Sequence, residues 1–196
     1  MSLRTIIIVS ALVLVALVSC DEETTSYYPD LSSPYRIMVE LEYCFNHNQE
    51  ADIINRMDAV LSPNFTFYFD PEDVGDYVGD YEIPVSWTKT AMMTAIEHLF
   101  NQAYSINLEI PILDEGEDAF GKPGEGDTTF IRTNVSVNLL VMVDEYSGYQ
   151  ATGFCDFEFG KDGSGNWLMT TWWDRTAGAL LTTEATSLGE IFSLFY

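Results

Sequence analysis

Residues 127–174 read DTTFIRTNVSVNLLVMVD, EYSG, YQATGFCDFEFG, KDGSGN and WLMTTWWD in succession, and the alternation of their apolar side chains decides the fold. Val135, Val137, Leu139, Val141 and Val143 take every second position of the first run, as do Ala151, Gly153, Cys155, Phe157 and Phe159 in the second. Successive side chains of a strand point to opposite faces, so a period of two puts each set on one side. Gly148 and the cluster from Asp162 to Gly165 supply the turns. The stretch therefore reads as a three-stranded antiparallel meander with one apolar face, and that face needs helices to cover it.

The helices come first in the chain. Ser33 is an N-cap and Pro34 a first-turn residue for a helix ending near residues 46–48, with Ile37, Met38, Leu41, Cys44, Phe45 and Asn48 on one arc. A second, shorter helix is expected over residues 49–61, stopped by Ser62-Pro63-Asn64. Residues 65–69, FTFYF, alternate as a strand, and a charged loop follows. Ser86 is expected to cap a third helix reaching about Ala103, whose stripe of Met92, Met93, Ile96, Leu99, Phe100 and Ala103 repeats the spacing of the first. Ile106 to Ile112 mark another strand, residues 114–126 a Gly- and acid-rich loop, and residues 187–195 a closing amphipathic helix.

That succession is an α+β class, with a curved, mostly antiparallel sheet wrapped around N-terminal helices. The helices running into SPNFTFYFDP, the segment SWTKTAMMTAIEHLF and the closing GNWLMTTWWD resemble the nuclear-transport-factor-2-like (SnoaL-like) superfamily over roughly residues 33–176, nearest to its bacterial lipoproteins. The resemblance implies a cone-shaped domain over residues 34–196. It also implies a site inside the cone, where the enzymes of that superfamily keep a carboxylate base, and frequent dimerisation through the sheet face. No catalytic pair matches residue for residue, so none is carried over, and the superfold hosts many activities.

Eight basic residues stand against 31 acidic ones, a net charge of −23. Without residues 1–19, which hold Arg4, the balance is seven against 31. Such a surface repels phosphate backbones, which sets nucleic acid aside as a partner. Residues 6–19 form an uncharged, predominantly apolar run of fourteen, short for a membrane span and suited to a secretory signal. Leu17-Val18-Ser19-Cys20 resembles the bacterial lipobox, in which cleavage precedes a lipidated cysteine. Two or more buried acyl chains, at ~0.8 kcal/mol per CH₂, anchor a protein durably. Residues 1–19 are thus read as a lipoprotein signal peptide, Cys20 as the lipidation site, and residues 20–33 as an acidic tether in the cell envelope. Asp21, Glu22 and Glu23 resemble sorting signals that hold some lipoproteins at the inner membrane and send others to the surface, and both destinations stay open.

Cys44 and Cys155 both fall on apolar faces; a disulfide between them in an exported chain and two separate buried thiols are the alternatives. Asp156 lies with Glu158 opposite the apolar set, on an outer sheet surface, unless the concave face is reversed and Asp156 is a pocket acid. Tyr68, Trp87, Trp172 and Trp173 either fill the core or line the mouth of the cone against a planar or apolar ligand. His47 and His98 fall off the apolar arcs and read as surface residues. The acidic loop from Asp70 departs from the EF-hand pattern at Val74 and Tyr81, and no Cys/His spacing suits zinc, so neither metal nor cofactor is assigned. These features favour a membrane-tethered, non-catalytic module binding a small hydrophobic ligand or a partner protein. An isomerase, dehydratase or cyclase with a buried carboxylate, and a dimeric structural envelope protein, are the alternatives.

Overall fold

The computed structural model describes residues 29–175 and 187–196; Cys20 and the signal peptide expected over residues 1–19 lie outside the described residues. Helix α1 (Pro34–Asn46) opens as its sequence dictates, with the Ser33 hydroxyl accepting the Arg36 N–H at 3.4 Å and Pro34 in the first turn. Its inward residues Ile37, Met38, Leu41, Cys44 and Phe45 are all fully buried. The preceding segment is not wholly a free tether. The Leu31 carbonyl accepts the Trp167 N–H at 2.9 Å, and Asp30 pairs with Arg36.

Helix α2 (Ile53–Val60) is shorter than its pattern suggested, because residues 47–52 form a turn with Asp52 in the left-handed region (φ 65°). Strand β1 (Leu61–Tyr68) starts four residues earlier than expected. Its pairing with the last strand is irregular between Leu61 and Thr66, which accommodates Pro63 where no ladder hydrogen bond is demanded. A two-stranded hairpin, β2 (Tyr77–Val78) and β3 (Tyr81–Glu82), interrupts the loop that follows. Ser86 does not cap a helix. It begins β4 (Ser86–Thr88), which pairs antiparallel with β1 and seats Trp87 opposite Phe67. Helix α3 (Lys89–Gln102) starts after Thr88. Strand β5 (Ser105–Glu109) ends before Pro111, whose ring starts a 3₁₀ turn, and the acidic loop holds a short helix α4 (Glu117–Phe120) that buries Phe120.

The meander is present as β6 (Thr129–Met142), β7 (Gly148–Lys161) and β8 (Trp167–Arg175). Val143, counted with the apolar set, lies just past the strand end and is 38% exposed. The six-stranded sheet runs β4-β1-β8-β7-β6-β5; β1 is parallel to β8 and every other pairing is antiparallel. Bulges between Arg132 and Val135 and beside Glu158 bend it toward the helices. Its outer face carries a hydrogen-bonded set of Glu109, Asn138, Gln150 and Thr152, with Ile131 and Phe154 exposed.

Inside the curve lies a continuous aromatic core. Phe67 makes edge contacts with Phe69, Trp172 and Phe192 at 5.0–5.7 Å, and Trp172 also meets Phe157. Phe192 belongs to the closing helix α5 (Leu188–Leu194), fixed by a capping box between Ser187 and Glu190. One ion pair is also buried: Glu40 on α1 accepts from Arg56 Nε on α2 at 2.6 Å, with the guanidinium 4.1 Å over the Tyr43 ring. Cys44 and Cys155 are not joined. Cys44 sits 4.0 Å from Glu40, whereas Cys155 stands between Val135 and Asp174 in the sheet. Burial, reinforced by the Glu40 charge, pushes the Cys44 thiol up to about 12, so it is inert.

Because Phe192 touches Phe45, Phe67 and Trp172 together, it closes the core. Phe192→Ala is expected to lower unfolding free energy by about 3–5 kcal/mol in urea titrations; a loss below about 1 kcal/mol would show that α5 is not part of the cooperative core.

Candidate functional site

The parallel pairing of β1 with β8 brings the C-terminal ends of two strands side by side, with Tyr68 opposite Trp173. Alternation turns Tyr68 and Trp173 to the outer face, where their rings stack at 5.8 Å and 9°. The next residues, Phe69 and Asp174, turn inward and are buried. The loop after β1 then folds back. Asp70 caps it by accepting the Glu72 N–H at 2.8 Å, and Gly75 and Asp76 bond to Ile83. Phe69 N–H donates to the Val85 carbonyl. These bonds set Pro71, Val74 and Val85 across from the aromatic pair.

The result is a cavity of about 330 Å³ at the strand ends, lined by Tyr68, Phe69, Pro71, Val74, Val85, Trp173, Asp174 and Arg175. Six of the eight present apolar or aromatic surface, and the polar groups gather at the end of β8. Arg175 Nε donates to Asp156 at 2.6 Å, and Asp174 accepts the Gly189 N–H at 2.7 Å. Gly189 is required there, since a Cβ would meet the Phe69 ring at 2.5 Å. Asp174 thus ties the start of α5 to the rim of the cavity.

A second carboxylate stands behind it. Burial pushes Asp73 up to about 6; a Ser187 hydroxyl bond opposes the shift, and the nearby Glu190, Asp174 and Asp70 charges reinforce it. One Asp73 oxygen is buried without a hydrogen-bond partner among the described residues.

The sequence-derived candidates separate cleanly. Tyr68 and Trp173 line the cavity. Trp87 and Trp172 do not; their inward positions put them in the core at 4% and 1% exposure, where Trp87 donates its indole N–H to the Tyr81 hydroxyl at 2.8 Å. Asp156 is not an enclosed acid of the cone. It occupies the outer face, accepts the Asn134 N–H at 2.8 Å where β6 bulges, and braces that bulge against Arg175. His47 and His98 are bonded to the Tyr43 and Phe195 carbonyls. Asp174 is the inward acid at the end of β8, which the period-two pattern marks two residues after Trp172.

No family model matches the chain, and no curated protein matches it in sequence. Solved structures do. A conserved protein from Planctomyces limnophilus superposes with a TM-score of 0.53 at 8% identity, over 72% of this chain and 91% of its own. Two proteins from Novosphingobium aromaticivorans follow, both at 13% identity. One, assigned as an aromatic ring hydroxylase, has a TM-score of 0.52 over 83% of this chain and 96% of its own. The other, assigned as a scytalone dehydratase, has a TM-score of 0.50 over 77% and 87%. With its helices held in the curve of an unclosed, mostly antiparallel six-stranded sheet, this chain shares the fold of these structures, the cone expected from its resemblance to the nuclear-transport-factor-2-like (SnoaL-like) superfamily.

Proposed function

We propose that this chain is a bacterial envelope lipoprotein, tethered through an acylated Cys20, whose folded domain is a non-catalytic module binding a small hydrophobic ligand against Tyr68 and Trp173. The observation that carries the ligand reading is the cavity at the ends of β1 and β8. Its volume falls within the ~300–1,000 Å³ of small-molecule sites, and its makeup, mostly apolar with a few polar groups at one end, is theirs as well. The two groups best able to do chemistry there are already engaged, Arg175 by Asp156 and Asp174 by the Gly189 amide. The lipobox at residues 17–20 supports the tether.

A second reading rests on Asp73. A carboxyl titrating at about 6, next to the Asp174 that lines the cavity, is suited to moving a proton near neutral pH, which supports an isomerase or dehydratase. The two readings separate on the fate of the ligand: recovered unchanged from the binding module, converted by the enzyme.

The ligand reading predicts that a panel of steroids, fatty acids and aromatic polyketides contains compounds that raise the melting temperature and quench Trp173. Trp173→Ala is expected to weaken them by roughly tenfold through lost stacking and burial. A panel without any thermal shift contradicts it. For the tether, Cys20→Ser is expected to abolish labelling by radioactive palmitate and move the chain out of the membrane fraction; unchanged fractionation contradicts the anchor. For Asp73, the native carboxyl holds its proton to higher pH than the unfolded one. The ionised form therefore costs stability that appears as pH rises from about 4 and is complete above about 6. Asp73→Asn is expected to raise stability at pH 7.5 by roughly 1 kcal/mol, solvent screening having reduced the effect at this half-exposed site, and to do little at pH 4. The opposite pH dependence would contradict the assignment.

A further inference from the structure

At the end of the domain where α1 gives way to α2, two adjoining hollows of about 430 and 350 Å³ flank a ridge formed by Asn48, Gln49 and Glu50. Both lie within the size range of ligand sites, ~300–1,000 Å³. Their side chains differ in kind from those at the strand-end cavity. Ile53, Phe100, Ala103 and Ile106 give a buried apolar floor, and the walls are carboxamides: Asn46, Asn48, Gln49, Asn55 and Asn101. In a chain with 31 acidic residues, this groove is set apart by its five carboxamides, with Glu50 and Asp52 as its acids.

The ridge is held in place from below. Asn46 bonds both the carbonyl and the N–H of Leu108, at 2.9 and 2.6 Å, and Asn48 Nδ2 donates to the Phe100 carbonyl at 3.0 Å. The Asn48 amide oxygen is left to accept. Among the described residues, Gln49 and Asn101 make no side-chain hydrogen bond, so each offers a donor and an acceptor to the groove. His47 faces the Tyr43 carbonyl through Nδ1 at 3.0 Å. A carbonyl only accepts, so Nδ1 carries a proton and Nε2 is left to face the second hollow. At the far wall Tyr104 stands 56% exposed, an aromatic surface beside the second hollow.

From these features we infer that the groove is a binding site for a neutral saccharide. Vicinal hydroxyls each donate and accept, which carboxamides satisfy without charge. The C–H face of a pyranose stacks on an aromatic ring, and Tyr104 supplies one. Anionic ligands are disfavoured by Glu50 and Asp52 on the same rim and by the net charge of −23. The single proton of the Tyr43 hydroxyl is shared between the two oxygens of Glu50, at 3.1 and 2.9 Å, which steadies that end of the ridge. Two hollows astride one ridge suit two linked sugar units better than one. The site is separate from the Tyr68–Trp173 cavity and does not depend on it.

The test uses the full chain in a detergent without a sugar headgroup, with saturation-transfer NMR and calorimetry against neutral mono- and oligosaccharides of glucose, galactose, mannose and N-acetylglucosamine. Saturable binding of at least one oligosaccharide is expected, weakened about tenfold by Tyr104→Ala and by Asn101→Ala, and unaffected by Trp173→Ala. Both altered residues are exposed, so circular dichroism should match the unaltered chain. Absence of binding across the panel at millimolar concentration overturns the inference. So does binding that survives both substitutions, binding lost with Trp173→Ala, or a preference for acidic glycans or peptides.

Discussion

Edge-to-face packing around Phe67 is the constraint on which the rest of this structure depends. One ring on β1 meets Phe69 of the same strand end, Trp172 of β8 and Phe192 of α5, all within 5.7 Å. Such pairs add ~0.5–1.5 kcal/mol each beyond the area they bury. They also occupy the space that a curved sheet encloses. Helix α5 brings Phe192 against Phe45 as well, so the sheet, α1 and α5 share one interior. The space for a ligand is therefore found at the rim, where the parallel ends of β1 and β8 leave the core and the loop after β1 folds back over them.

Much of this was legible in the sequence. The period of two gave the meander and its inward set, since Val135, Val137, Leu139 and Val141 are all buried. Ser33-Pro34 gave the start of α1. Trp172 and Trp173 show where reading residue types fails: adjacent in sequence, they point to opposite faces, one into the core and one into the cavity. Treating the aromatics as a group hides that division, whereas the alternation carries it. Asp174 follows the same rule. Its inward position follows from Trp172, two residues before it on the same strand.

Other features depend on distant partners, and no local pattern contains them. Whether residues 86–88 extend a helix or form a strand is settled by the open edge of β1, which Trp87 fills. The early start of β1 across Pro63 depends on irregular pairing with β8. Glu40 lies on the buried side of α1 because Arg56 arrives from α2 to meet it at 2.6 Å. Asp156 is occupied by a bulge and an arginine, each from a different strand.

The inside of the cone is a filled aromatic core, and the accessible apolar space lies at the ends of β1 and β8. Diffraction from crystals pressurised with xenon tests it directly, because xenon enters dry apolar cavities without needing a hydrogen bond. Xenon density is expected against Tyr68, Val85 and Trp173. Density between Phe67, Trp172 and Phe192, with none at the strand ends, would contradict it.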